Sequence, residues 1–199
     1  MATNFAWCET AYVTLSFQSG TDIEFRAITE TIDIDGIEKD FESIATIGGG
    51  RIVKFTPSPD ITVTLEAYPL EVGTASGDTG KGFFDFMNSS SIGGSQPLEI
   101  EFSRTRKPVR LAILFTEDTS VTKATDATNA GYKATRFVFV DGYVTSVKPS
   151  YTDKVLKYTI TVKFPPFDSS GNANFKVESD DGTGTGLSAL SAYTSSTKW

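Results

Sequence analysis

Ile61-Thr62-Val63-Thr64-Leu65-Glu66-Ala67 decides the fold: Ile61, Val63, Leu65 and Ala67 alternate with Thr62, Thr64 and Glu66. A period of two sends the aliphatic side chains to one face and the polar ones to the other, as a half-buried strand requires. The run from Asp22 to Asp35 has the same texture with one difference. Ile23, Phe25 and Ala27 hold one parity, whereas Ile28, Ile32 and Ile34 hold the other. This predicts a bulge or bend near Ala27. The connection between the two runs, from Ile37 to Pro59, carries the glycine-rich tract Ile47-Gly48-Gly49-Gly50-Arg51 and is long for a hairpin. Loops of that length in a compact domain are usually functional or held by something else.

Outward from this pair the chain continues in the same idiom. Tyr12, Thr14 and Ser16 interleave with Val13, Leu15 and Phe17; Leu98, Ile100 and Phe102 interleave with Glu99, Glu101 and Ser103. Strands are expected at Leu111–Phe115, Arg136–Val140, Tyr143–Lys148 and Val155–Phe164, the last with Leu156, Tyr158, Ile160, Val162 and Phe164 on one face. Pro165-Pro166 should end the sheet, because proline has no N–H for a ladder. Phe83, Phe84, Phe86 and Met87 suit one short helix capped by Asp78 or Thr79, plugging an open end of a barrel or sandwich. A weak helix is expected over Lys123–Ala130, closed by Gly131. Residues 167–199 are rich in Gly, Ser and Thr with a few apolar residues, and composition makes them a C-terminal arm beside a β domain of residues 1–166. Phe175, Leu187, Leu190, Tyr193 and Trp199 are its candidate anchors, expected to seat on a neighbouring subunit. The fold class expected is mainly β: a sandwich or barrel-like subunit with one short helix, a long inter-strand loop and an extended C-terminal arm.

Composition removes several kinds of chemistry. The 199 residues contain no histidine and one cysteine, Cys8, so zinc sites of the usual type, Ser-His-Asp or Cys-His nucleophiles and an intrachain disulfide are all excluded. Gly77-Asp78-Thr79-Gly80-Lys81-Gly82 departs from a phosphate-binding loop at Ala75 and Gly82. Asp33-Ile34-Asp35-Gly36 lacks the spacing of a calcium loop, and Glu99 and Glu101, two apart on one strand, do not face each other across a substrate. No enzyme and no cofactor is expected. A net charge of −7 argues against a nucleic-acid-binding surface, since phosphate contacts come from Lys and Arg. The basic cluster Arg104–Arg110 suits a salt-bridging surface for another acidic subunit. There is no apolar run long enough to span a bilayer as a helix, and the opening Met1-Ala2-Thr3-Asn4-Phe5 lacks signal-peptide character, so synthesis in a cytoplasm is expected, with no membrane insertion by this chain.

Three tracts then carry a resemblance. Ile34-Asp35-Gly36-Ile37-Glu38-Lys39 running into Ile44-Ala45-Thr46-Ile47-Gly48-Gly49-Gly50, Asp141–Pro149, and Val155–Phe167 together resemble the tail tube (major tail) proteins of tailed viruses, over most of the chain from Ile23 to Asp181. The resemblance implies a structural subunit of the virion tail, made in the host cytoplasm, that forms stacked hexameric rings. The hollow tube so built would deliver DNA without binding it specifically and would meet other tail proteins at its ends. It also implies that Ile37, Phe41, Ile44, Ile47, Arg51 and Ile52 contact the next ring. An acidic bore would centre the duplex by repulsion, with Asp33, Asp35, Glu66, Glu99 and Glu101 as the lumen-facing candidates, and Lys157 and Lys163 facing outward or paired with carboxylates. The other readings are the tube of a related injection machine, or a carbohydrate- or receptor-binding β-sandwich. Against the last, Trp7 and Trp199 sit near the ends and form no aromatic platform.

Overall fold

The computed structural model describes residues 10–18, 22–24, 27–69 and 106–199. Its strands are β1 (Thr10–Phe17), β2 (Asp22–Glu24), β3 (Ala27–Asp35), β4 (Phe41–Ala45), β5 (Arg51–Phe55), β6 (Ile61–Pro69), β7 (Val109–Thr116), β8 (Lys133–Thr152), β9 (Val155–Phe164) and β10 (Phe175–Asp181). The main sheet runs in the order β2-β1-β7-β8-β9-β6-β3, all neighbours antiparallel, and β10 adds to β8. Strands β2 and β3 lie at opposite ends of this order, yet only two residues of chain separate Glu24 from Ala27, and the three steps between them can span at most about 11 Å. The two ends must therefore come close, and the sheet curls into a half-barrel.

The curl buries one core. Val13 and Leu15 of β1, Leu111 and Ile113 of β7 and Phe139 of β8 meet Val63 and Leu65 of β6 and Ile160, Val162 and Phe164 of β9. Phe175 of β10 stacks on Phe139 at 4.8 Å between ring centroids. The outer face of the β7–β8 half is covered as well. Ala112, Leu114 and Ala134 lie under Val121, Ala124 and Leu187; Val138 and Val140 lie under Tyr193; Leu190 touches both groups. That is why β7 is buried along nearly its whole length instead of alternating.

Two buried arginines hold this outer cover in place. The Arg136 guanidinium donates from Nε (2.9 Å) and Nη2 (2.5 Å) to Glu178 Oε2, from Nη1 to the Asp126 carbonyl (2.9 Å) and from Nη2 to the Ser188 carbonyl (2.5 Å). Arg110 donates from Nη1 to the Ser191 carbonyl at 2.6 Å and lies 5.6 Å over the Tyr193 ring. Irregular backbone laid on a sheet has carbonyls with no ladder to join, and a guanidinium's forked donors satisfy several at once.

The structure corrects several expectations. Arg136–Val140 and Tyr143–Lys148 are not two strands but parts of the single 20-residue β8. Two residues of β8, Val140 and Asp141, oppose one of β7, Arg110, and Thr145 is an extra residue against β9. These bulges shift the inward positions from Phe137 and Phe139 to Gly142 and Val144 and then to Val147, so one strand reads as two. Lys123–Ala130 is irregular, not helical: Asp126 accepts from the Thr122 and Lys123 N–H groups, and Asp118 accepts from Ser120 and Asn129. Such side-chain acceptors offer the backbone an alternative to a helix. The bulge expected near Ala27 is present as the register shift between Thr29 and Thr31, and the switch there is also a change of partner, β2 pairing with β1 and β3 with β6. The Pro165-Pro166 break ends β9, but the sheet resumes in β10. The arm seats on this chain's own sheet, where a neighbouring subunit was expected. The short helix over 78–87, the strand from Leu98 to Ser103 and the residues Arg104 and Thr105 lie outside the described residues.

Candidate functional site

The connection from Ile37 to Pro59 is a hairpin standing away from the sheet. β4 and β5 pair with each other, Phe41 opposite Phe55, Ser43 opposite Val53, Ile44 opposite Ile52 and Ala45 opposite Arg51, and with no other strand among the described residues. The turn explains the glycine tract. The Thr46 N–H donates to the Gly50 carbonyl at 2.9 Å and the Gly49 N–H to the Thr46 carbonyl at 3.0 Å, while Gly49 takes φ 80°, a region that penalises other residues. At the root, Asp40 Oδ1 accepts the Phe41 N–H and the Asp40 carbonyl accepts the Thr56 N–H. There Gly36, at φ 87°, lies so close to β6 that a Cβ would sit 2.4 Å from the Asp60 carbonyl oxygen.

All ten strand positions of this hairpin are exposed. Ile47 at the tip is fully exposed and Phe55 is 79% exposed, and Ile37, Phe41, Ile44, Ile52 and Val53 are each about half exposed or more. Phe41, Val53 and Phe55 share one face, Ile44 and Ile52 the other. A two-stranded hairpin alone is marginal in water, and a projecting apolar patch of this kind marks an interaction surface. The structure thus brings the candidates Ile37, Phe41, Ile44, Ile47, Arg51 and Ile52 together on one element, and Arg51 Nη1 donates to Ser43 Oγ at 3.0 Å. Val53 and Phe55 escaped the sequence reading. Their signal was the β-branched and aromatic composition of Arg51-Ile52-Val53-Lys54-Phe55, obscured by treating the segment as a loop.

The second feature is the polar face of β3, β6, β9 and the second half of β8. The register sets Asp35, Thr62, Lys163 and Tyr143 in one row, Asp33, Thr64, Thr161 and Ser146 in the next, and Thr31, Glu66, Thr159 and Lys148 in a third. Asp33, Asp35 and Glu66 therefore share one surface, together with Lys148 and Lys163, and Lys157 Nζ pairs with Glu66 Oε2 at 2.9 Å. Glu99 and Glu101 lie outside the described residues.

The third is the C-terminal clamp on the bend of β8. Asp141 takes φ 58°, and a Cβ on Gly142 would stand 2.1 Å from a Phe164 ring carbon. The Tyr193 hydroxyl donates to Asp141 Oδ1 at 2.7 Å, and Lys198 Nζ bridges Asp141 and Asp168 at 2.5 and 2.9 Å. Burial and the Asp141 carboxylate push the Tyr193 phenol well above its ordinary range, while Lys198 and Asn172 hold Asp168 well below the usual carboxylate range. Of the arm anchors, Phe175 sits in the core, Leu187 and Leu190 on the outer face of the sheet, Tyr193 on Val138 and Val140, and Trp199 beside them with Lys176 Nζ 5.1 Å from its ring centroid. Arg110, read as part of a basic surface for another subunit, is instead buried in this chain, and Arg136 was not singled out, since an arginine in a strand gives no sign that irregular backbone will cover it.

Among the described residues no group of three or more His, Cys, Asp or Glu is placed to hold a metal ion, and no helix is long and apolar enough to cross a membrane.

No protein-family profile matches the chain, and no curated protein matches it by sequence. Solved structures do. A chain in the 6-fold symmetrised structure of the anti-feeding prophage (AFP) baseplate superposes with a TM-score of 0.51 at 10% identity, over 89% of this chain and 97% of that one. A chain of the PVC sheath/tube terminator of an extracellular contractile injection system, in its extended state, gives 0.46 at 16% identity over 89% and 99%, and one from the AFP tube terminating cap gives 0.43 at 10% over 90% and 95%. At such identities the likeness is one of fold alone.

Proposed function

We propose that this chain is a structural subunit that assembles with copies of itself into stacked rings forming a hollow tube, the conduit of a tailed virus or of a related injection particle. The observation that carries the reading is the β4–β5 hairpin, which exposes apolar side chains on both faces and has no other strand to lean on among the described residues. A monomer gains nothing from such an element, whereas a subunit that inserts it into the next copy buries it. The likeness of fold to a chain of a 6-fold symmetrised baseplate favours six-fold rings.

In this reading the row of β3, β6, β9 and β8 joins the same row of adjacent copies side by side, which removes exposed sheet edges. The polar surface bearing Asp33, Asp35, Glu66 and the Glu66–Lys157 pair faces the bore. Its role is to pass cargo without holding it. Glu66 neutralises one cation of that surface, so a DNA cargo meets fewer uncompensated positive charges. DNA is the cargo in a viral tail, and its passage needs a smooth, weakly interacting bore.

Electron microscopy of the purified protein tests the reading, with rings or tubes expected. Phe55→Asp supplies the mechanism: at 79% exposure the residue contributes little to the fold, so the melting temperature should hold while assembly is lost. Uniform monomers from the wild-type chain at high concentration, or normal tubes from Phe55→Asp with the rest of the hairpin also replaced by a short turn, would sink it.

A further inference from the structure

At the root of the hairpin lies an apolar groove of about 480 Å³, walled on one side by Ile37, Glu38 and Ile61 and on the other by Pro166, Phe167 and Phe175. Its far wall is the turn between β9 and β10, tied by the Phe167–Ala173 bridge and by Asp168, which accepts the Ser170 and Asn172 N–H groups. Phe167 is about half exposed, so the groove is open and unfilled by the side chains of the described residues.

We infer that this groove receives the hairpin tip of a second copy, an assignment that rests on the self-assembly proposed above and says where the hairpin goes. Three observations lead there. The occupant must be apolar, and the most exposed apolar side chain described is Ile47 at the hairpin tip. The chain's own tip is excluded, because the hairpin springs from the groove wall and five paired residues carry the tip about 17 Å away. Charge agrees: the root carries Glu38, Asp40 and Asp60 around Lys39, and the strand leaving the tip begins with Arg51. A tip seated in the groove brings Arg51 to the rim that holds Glu38. Because the projecting element and the recess are different parts of one surface, the contact is head to tail. It propagates from copy to copy and closes into a ring or runs on as a filament according to its rotation. It also gives the β9–β10 turn a role, since Phe167 forms the wall that the incoming tip touches.

Cross-linking in the assembled protein tests this. With Cys8 replaced by serine, Gly48→Cys places a thiol at the tip where a Cβ meets nothing within 4 Å, leaving Ile47 intact. Phe167→Cys places its partner in the groove. A short bis-maleimide should give dimers from mixed single-cysteine chains and a ladder from the double variant. Val177→Cys, exposed on β10 outside the groove, should not cross-link to the tip. Ala173→Trp, filling the groove from an exposed position, should abolish assembly with the melting temperature and far-UV spectrum unchanged. Tubes that form normally with Ala173→Trp, or that show no preference of the Gly48→Cys tip for Phe167→Cys over Val177→Cys, overturn the docking site while leaving the tube reading standing. A wild-type chain that never assembles overturns both.

Discussion

Arg136→Met is the sharpest test of how the outer cover is held. The side chain is fully buried, and its loss strands the carbonyls of Asp126 and Ser188 against the sheet and leaves Glu178 with Lys176 as its cation. A buried polar group without a partner costs about 1–3 kcal/mol. Breaking a buried ion pair by removing one member costs about 3–5 kcal/mol, but Glu178 is 26% exposed and keeps Lys176, so its share belongs well below that range. The sum is about 3–5 kcal/mol, a large part of the roughly 5–15 kcal/mol that keeps a domain folded. Methionine fills much of the arginine's volume, so a cavity adds little. Urea unfolding reads the loss directly: with a slope of about 1–3 kcal/mol per molar, the midpoint should fall by about 2 M. The double variant Arg136→Met/Glu178→Gln should cost less than the sum of its single changes, because the two side chains act on one bond network. A loss below about 1 kcal/mol at an unchanged slope would show that water reaches those carbonyls and that the guanidinium is not what pins the cover.

Three further outcomes follow from the same geometry. Gly142→Ala drives a methyl to 2.1 Å from the Phe164 ring and 2.7 Å from the Lys163 carbonyl, at the bend of the longest strand; overpacking of this kind costs about 1–3 kcal/mol or more, seen as a lower melting temperature. Ending the chain after Asp181 uncovers Leu114, Val138 and Val140 by removing Leu187, Leu190 and Tyr193, so the truncated subunit should lose cooperative unfolding itself. A truncated chain that unfolds like the parent and fails only in assembly would return the arm to a neighbouring subunit. Acid should unfold the protein through its carboxylates. Burial raises the Glu178 pKa, but Lys176 and Arg136 outweigh it and leave the value lowered; Lys198 and Asn172 lower Asp168, and the N–H groups of Gly182 and Gly186 lower Asp180. Groups whose folded pKa lies below the unfolded value of about 4 stabilise the fold above that pH and lose the contribution as pH falls below it. Titration of the melting temperature should therefore be flat near neutrality and fall below about pH 4, with Glu178→Gln flattening part of the fall.

The sequence alone determined the strands whose two faces meet different surroundings. Ile61–Ala67 and Val155–Phe164 alternate because one face meets the core and the other does not, and a period of two records that difference residue by residue. It also determined that the chain is mainly β and that histidine and paired-cysteine chemistry is absent. The hairpin's apolar residues were legible, but its strands were not, because a hairpin exposed on both faces has no alternation to display. Tertiary structure decided the rest. Only the pairing of β2 with β1 and of β3 with β6 shows that the break near Ala27 carries the chain between the two ends of one curled sheet. Only the packing of residues 117–131 and 182–199 shows why β7 is apolar on both sides and why Arg110 and Arg136 are buried. A buried arginine and a solvated one are the same letter. What separates them is whether backbone carbonyls from distant parts of the chain arrive to accept its hydrogen bonds, and those partners, Asp126, Ser188 and Ser191, are brought there by the fold.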